Sequence, residues 1–189
     1  VNLARGTEEE RAEAFRLMAR FLVRTTCAPI QDQKQREIVR RNRRIGVGWF
    51  GLQEYMAYQG LSYNDSAETL KPLGDEMQRW AEIVEDEANN YADSMHIPRP
   101  IKTTTVAPTG TIAKLCGTTE GVQPIFARHF IRRVRYADND QSRPLQYPSE
   151  PCIYNVDTTV VSIPCEDPVV ERVGEAESLL VDAAELSVD

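Results

Sequence analysis

The sequence predicts a helix-rich α/β fold. Apolar residues recur at three-to-four spacing in two long stretches, Phe15 to Leu22 and Met77 to Ala88, which is the period of an amphipathic helix. Two short stretches, 101–106 and 158–163, are rich in threonine and β-branched residues and carry the strand signal. Over 189 residues the chain is 41% hydrophobic and 27% charged, which is globular composition with enough apolar side chain to bury a core without disulfides or metal.

Thr7-Glu8-Glu9-Glu10 has the form of a capping box: the Thr7 hydroxyl accepts a first-turn N–H and Glu10 reaches back. The helix that follows sets Phe15, Met18, Ala19 and Leu22 on one face and ends near Cys27, ahead of Pro29. A second helix is expected over 33–42, strongly basic through Lys34, Arg36, Arg40 and Arg41, with Arg43 and Arg44 just beyond. Gly46-Val47-Gly48-Trp49-Phe50-Gly51 comes next, then a helix from Leu52 to Gln59 stopped at Gly60. A long helix is expected over 66–95, broken near Pro72 and Gly74, with Met77, Trp80, Ile83, Val84 and Ala88 facing inward. Residues 101–106 read as a strand, 107–111 as a turn and 112–116 as a short helix. Residues 118–124 and 138–151 read as loops, 126–136 is apolar and basic by turns, 158–163 is the second strand, and 169–186 has the pattern of an amphipathic helix.

The net charge of −7 has an address. Residues 166–189 hold eight acids against Arg172 alone, which accounts for all of it, so residues 1–165 are neutral. That balance argues against a dedicated nucleic-acid binder. No run of about 18 apolar residues is present, so no membrane span is expected. The N-terminal stretch is charged and has no signal-peptide pattern. Cys27, Cys116, Cys152 and Cys165 form no CxxC pair, and His96 and His129 lie far apart, which excludes a zinc site of ordinary spacing. A cytoplasmic protein with reduced thiols is expected.

Three motifs bear on function. Residues 46–51 spell GxGxxG, but a basic helix precedes them and no βαβ unit follows. The plainer reading is a tight junction in which glycines allow close backbone packing. In Thr105-Val106-Ala107-Pro108-Thr109-Gly110-Thr111-Ile112 a strand delivers the chain to a turn where a helix starts. Free N–H groups there, with a glycine that admits a ligand, make an anion site. Simple capping by Thr109 or Thr111 explains the same residues equally well. The arginines of 36–44 and 128–135 suit single-stranded nucleic acid if Trp49, Phe130 and Tyr136 stack on bases, and suit solvated or ion-paired faces otherwise.

Several blocks in this order resemble the large catalytic subunit of ribonucleotide reductase, in particular its adenosylcobalamin-dependent (class II) form acting on nucleoside triphosphates. They are Asn42-Arg43-Arg44-Ile45-Gly46-Val47-Gly48 with Gly51-Leu52-Gln53-Glu54-Tyr55, then 101–111 with Ala113-Lys114-Leu115, Glu120-Gly121-Val122, Ile131-Arg132-Arg133-Val134-Arg135-Tyr136, Ile153-Tyr154 and the stretch from Thr158-Thr159 to Pro164. The resemblance implies part of a ten-stranded α/β barrel, its second half-barrel, over residues 1–165, with 166–189 an acidic tail outside the match. It implies that Ala107, Pro108, Thr109, Gly110, Thr111 and Ile112 hold the substrate phosphates. It implies thiyl-radical reduction of ribonucleotides to deoxyribonucleotides, with adenosylcobalamin as cofactor.

The family's radical cysteine lies upstream of a Cys-Asn-Leu segment, which stands here as Val1-Asn2-Leu3. The four cysteines of this chain match none of the family's catalytic ones. The resemblance therefore implies a fragment without its own reductase activity and without catalytic residues. Its expected partners are a ribonucleotide and the N-terminal remainder of the reductase or a second copy, with neither membrane nor nucleic acid. The alternative is a non-catalytic nucleotide-binding or regulatory module.

Overall fold

A computed structural model of the chain describes residues 1–125, 127 and 129–166. The helix expected over 169–186, and all but the first residue of the acidic tail, lie outside the described residues. The chain divides into two compact units, Val1–Pro124 and Ile125–Asp189.

The first unit holds five helices: α1 (Glu8–Thr25), α2 (Gln33–Asn42), α3 (Leu52–Tyr58), α4 (Lys71–Ser94) and α5 (Gly110–Cys116). The capping box opens α1: the Glu10 N–H donates to Thr7 Oγ1 at 3.2 Å, and the Thr7 N–H donates to Glu10 Oε2 at 2.7 Å. Asp32 caps α2 by accepting from the Gln35 N–H at 2.7 Å. Helix α4 starts at Lys71, later than the sequence suggests. Pro72 sits in its first turn, where its missing N–H leaves no helical bond unmade, so the proline opens the helix instead of breaking it.

Helices α1 and α4 pack through Phe15, Ala19 and Val23 against Trp80, Val84, Ala88 and Ala92, all buried. The alanines let the two backbones approach, and Trp80 fills the space they leave. Its ring stacks on Phe15 at 5.7 Å and meets Tyr55 edge-on at 5.2 Å.

The glycine segment 45–51 runs between two other extended pieces. On one side the Phe50 N–H donates to the Val1 carbonyl and the Leu3 N–H to the Phe50 carbonyl, each at 3.0 Å. On the other, Val47 bridges Thr104 in parallel, with the Val47 N–H on Thr103 O at 2.8 Å and the Thr105 N–H on Val47 O at 3.0 Å. The strand expected over 101–106 is thus an extended segment with one bridge. Its partner turns into α3 after Phe50, so the ladder has nowhere to run. The glycines serve close packing: a Cβ on Gly48 would lie 2.7 Å from the Thr105 carbonyl oxygen, and Gly51 takes φ +77° to enter α3.

The second unit is a three-stranded antiparallel sheet in the order β1-β3-β2, with β1 His129–Ala137, β2 Ser149–Pro151 and β3 Thr158–Glu166. Two features depart from expectation. The apolar-and-basic stretch is a strand whose residues alternate between half-buried and exposed. The loop expected over 138–151 ends in β2, whose three exposed residues pair with 159–161.

Candidate functional site

The six residues 107–112 lie together where the extended segment hands over to α5. Thr109 occupies the N-cap position in left-handed conformation, φ 47°, and its side chain makes no capping bond. Its hydroxyl is used elsewhere: the Gly121 N–H donates to Thr109 Oγ1 at 2.8 Å. Thr111 does not cap either, since α5 has no side-chain cap at all. The capping explanation of these threonines is therefore overturned. Helix α5 presents the first-turn N–H groups of Gly110, Thr111 and Ile112 without a side-chain cap. Pro108, Thr111 and Ile112 are exposed, while Ala107, Thr109 and Gly110 are half-buried.

Two charges flank this turn. Glu120 lies so close that a Cβ on Gly110 would come within 3.3 Å of its Oε2. Its other oxygen pairs with Lys114 Nζ at 2.7 Å, which offsets a carboxylate that would otherwise repel an anion. Gly121 takes φ +50°, and a Cβ there would lie 2.7 Å from the Ala107 carbonyl oxygen, so 107–109 and 119–121 are in close contact.

Beneath them sits a residue that sequence reasoning missed. Glu54 on α3 is 1% exposed. It accepts from the Thr119 N–H at 2.7 Å and from Thr119 Oγ1 at 2.5 Å. The Gly51 N–H donates to the Thr119 carbonyl at 3.0 Å, and Tyr63 Oη donates to the Val122 carbonyl at 2.9 Å. Burial, with the Glu54 charge second, pushes the Tyr63 phenol up to about 12. The only signal in the sequence was an acid inside the otherwise uncharged run Leu52–Met56.

Several of the arginines are engaged locally. Arg43 is buried, and its guanidinium donates to Thr26 O at 3.0 Å, Thr26 Oγ1 at 2.9 Å and Arg40 O at 3.1 Å. Arg36 donates to the Ile30 carbonyl at 3.0 Å. On the sheet, Arg133 pairs with Glu150, and the Arg135 guanidinium lies over the Tyr154 ring at 5.9 Å.

The four cysteines are free. Cys152 lies with Arg135, Glu150 and Tyr154 in a cleft of about 340 Å³. The backbone N–H of Tyr154 does most to hold its thiol below the usual range; burial opposes it, and the Asn155 N–H and the Arg135 side chain add smaller lowering effects.

Among the described residues no group of three His, Cys, Asp or Glu side chains could hold a metal, and no helix is long and apolar enough to cross a membrane. The sheet cleft does not fit adenosylcobalamin. Its volume is at the floor of the roughly 300–1,000 Å³ that drug-sized ligands need, a corrin is larger than those, and Arg133, Arg135 and Glu150 line it with charge.

No family model matches the chain. A protein of Mycobacterium phage D29, described as a candidate adenosylcobalamin-dependent ribonucleoside-triphosphate reductase, is 41% identical over 192 residues, covering 93% of this chain and 27% of that protein. The adenosylcobalamin-dependent ribonucleoside-triphosphate reductase of Lactobacillus gasseri is 31% identical over 172 residues, covering 80% of this chain and 23% of the relative. A crystal structure of a B12-dependent (class II) ribonucleotide reductase matches the fold with a TM-score of 0.69 at 26% identity, over 91% of this chain and 26% of that one. The chain spans about a quarter of the length of the curated relatives it matches. In sequence and in backbone, this chain matches a segment of the adenosylcobalamin-dependent ribonucleoside-triphosphate reductases.

Proposed function

We propose that the chain is the segment of a B12-dependent ribonucleotide reductase that seats the substrate's phosphates and supplies part of the barrel wall. The observation that supports this most is the uncapped first turn of α5, left so because Thr109 spends its hydroxyl on Gly121. The N–H groups of Gly110, Thr111 and Ile112 suit phosphate oxygens. Gly110 lets those oxygens come close, the Thr111 hydroxyl adds a donor, and Ala107 and Pro108 shape the approach. Residues 1–165 form the barrel piece. The radical and reducing thiols belong to the remainder of the reductase, because Cys27, Cys116, Cys152 and Cys165 match no catalytic cysteine of the family. The segment works against that remainder or, alone, against a second copy.

Titration of the chain with ATP and with inorganic tripolyphosphate tests the loop. Gly110→Ala and Thr109→Ala are expected to weaken both by roughly tenfold. Unchanged affinity in the two variants removes 107–112 from the site. Mixing the chain with the rest of a related reductase and assaying deoxynucleotide formation tests the parent activity. Binding that never restores turnover favours a regulatory module, and turnover by this chain alone overturns the assignment of the thiol chemistry.

A further inference from the structure

The phosphate-loop reading makes no use of Glu54, yet its carboxylate is among the most deeply buried polar groups of the first unit. Both of its oxygens are spent on one residue, Thr119, across 65 positions of sequence. Among the described residues no Lys, Arg or His nitrogen lies within 4.0 Å of it. A buried carboxylate without a cation is a poor way to gain stability, because an apolar side chain of similar volume usually serves as well or better. What the arrangement does provide is geometry. The Thr119 backbone is fixed through its N–H and its carbonyl, and its side chain through Oγ1, so neither its φ nor its χ1 is free to turn.

The constraint passes along the chain. Two residues on, the Gly121 N–H holds Thr109 Oγ1 at 2.8 Å, and Gly121 lies too close to the Ala107 carbonyl to accept a Cβ. Thr109 takes φ 47°, a conformation a β-branched residue adopts only when its surroundings impose it. That conformation decides where the N–H groups of Gly110, Thr111 and Ile112 point. Tyr63 holds Val122, so the 119–122 loop is anchored at both ends from the α3 side.

We propose that Glu54 is a positioning residue for phosphate recognition, acting through Thr119 and Gly121 to hold Thr109 and so to aim the first turn of α5. This rests on the phosphate-loop reading.

The test uses the full chain with Glu54→Leu, Glu54→Gln and Thr119→Val, and reads two quantities well below each variant's melting temperature. One is the hydrogen-exchange protection of the Gly121 amide relative to amides in the middle of α4. The other is the Kd for inorganic tripolyphosphate. Glu54→Leu and Thr119→Val are expected to lose Gly121 protection selectively and to weaken binding roughly tenfold. Glu54→Gln, whose amide oxygen still accepts from the Thr119 N–H, is expected to stay within about threefold of the wild type. A merely structural role lowers the melting temperature but moves neither readout. That pattern in both Glu54→Leu and Thr119→Val overturns the proposal, and Thr119→Val decides alone if Glu54→Leu does not fold. A wild-type chain that fails to bind tripolyphosphate overturns the phosphate-loop reading, while Gly121 protection still decides whether Glu54 holds the loop.

Discussion

Arg43 shows how a single side chain can belong to the core while looking like part of a basic surface. In sequence it sits in a run of arginines, and charge patterning assigns such a run to solvent. In the structure it is 6% exposed, takes φ 46° at the end of α2, and ties the last carbonyls of α1 and α2 together through one guanidinium. A cation at two helix C-termini is where the backbone dipoles favour it. Arg43→Met leaves those carbonyls buried and unpaired, and is expected to destabilise the chain by about 2–3 kcal/mol in urea unfolding, at unchanged m-value. Lysine should recover little, because one ammonium cannot span three acceptors set for a planar fork. The Cys152 thiol makes a second expectation at this scale. Its pKa is lowered, so the thiolate persists to lower pH than in an ordinary cysteine, and alkylation by iodoacetamide should reach half its maximal rate at a correspondingly lower pH. Arg135→Gln removes one of the donors and should move that midpoint back up, as read by mass spectrometry of the labelled peptide. Arg43, Glu54 and Cys152 were all illegible in sequence for one reason: each acquires its character from partners that arrive only when the chain folds.

At the scale of elements, legibility followed local chemistry. Helix α1 could be read because Thr7 and Glu10 mark its start within the chain itself; Asp32 does the same for α2, a cap that only the structure brings out. Helix α5 was visible as a turn with glycine and threonine at its mouth, although those threonines do not cap it. The strands were harder. β2 is three exposed residues ending in Pro151, and pairing with β3 is the only thing that makes it a strand. Residues 101–106 have the composition of a strand, yet their partner offers a single bridge. The glycine pattern at 46–51 carried meaning, though not as a dinucleotide fingerprint: it lets one extended segment lie flush against another. Gly48→Ala would drive a Cβ to 2.7 Å from the Thr105 carbonyl oxygen, which is backbone and cannot rotate away. We expect that variant to part 45–47 from 102–105 and to lower stability by roughly 1–3 kcal/mol. It should also weaken tripolyphosphate binding if 107–112 seats phosphate as proposed, because residues 102–105 lead directly into that turn.

For the molecule as a whole, the question is what surface a quarter-length segment leaves uncovered. The sheet of the second unit has β1 at one edge, nine residues long, and β2 at the other. A long edge strand invites pairing between copies, but Arg132, Arg133 and Arg135 place charge along β1, which resists it. The turn after β2 is more apolar: Ile153 is 86% and Val156 is 90% exposed, with Tyr154, under the Arg135 guanidinium, between them. Large apolar side chains grouped this way are a contact surface waiting for a partner. Opposing association is the net charge of −7, all of it in 166–189 and therefore repeated on every copy. The two effects respond oppositely to salt. Screening weakens the repulsion and leaves the apolar contact intact. Sedimentation equilibrium is therefore expected to show self-association that strengthens as salt is raised, the reverse of what pairing between the acidic segment and the arginines of β1 would give. Ile153→Asp with Val156→Asp should return the chain to monomer at every salt concentration, whereas Ile131→Asp on β1 should leave association unchanged. Association that weakens with salt, or that survives the double substitution, would place the contact elsewhere and remove the 153–156 turn as the contact face.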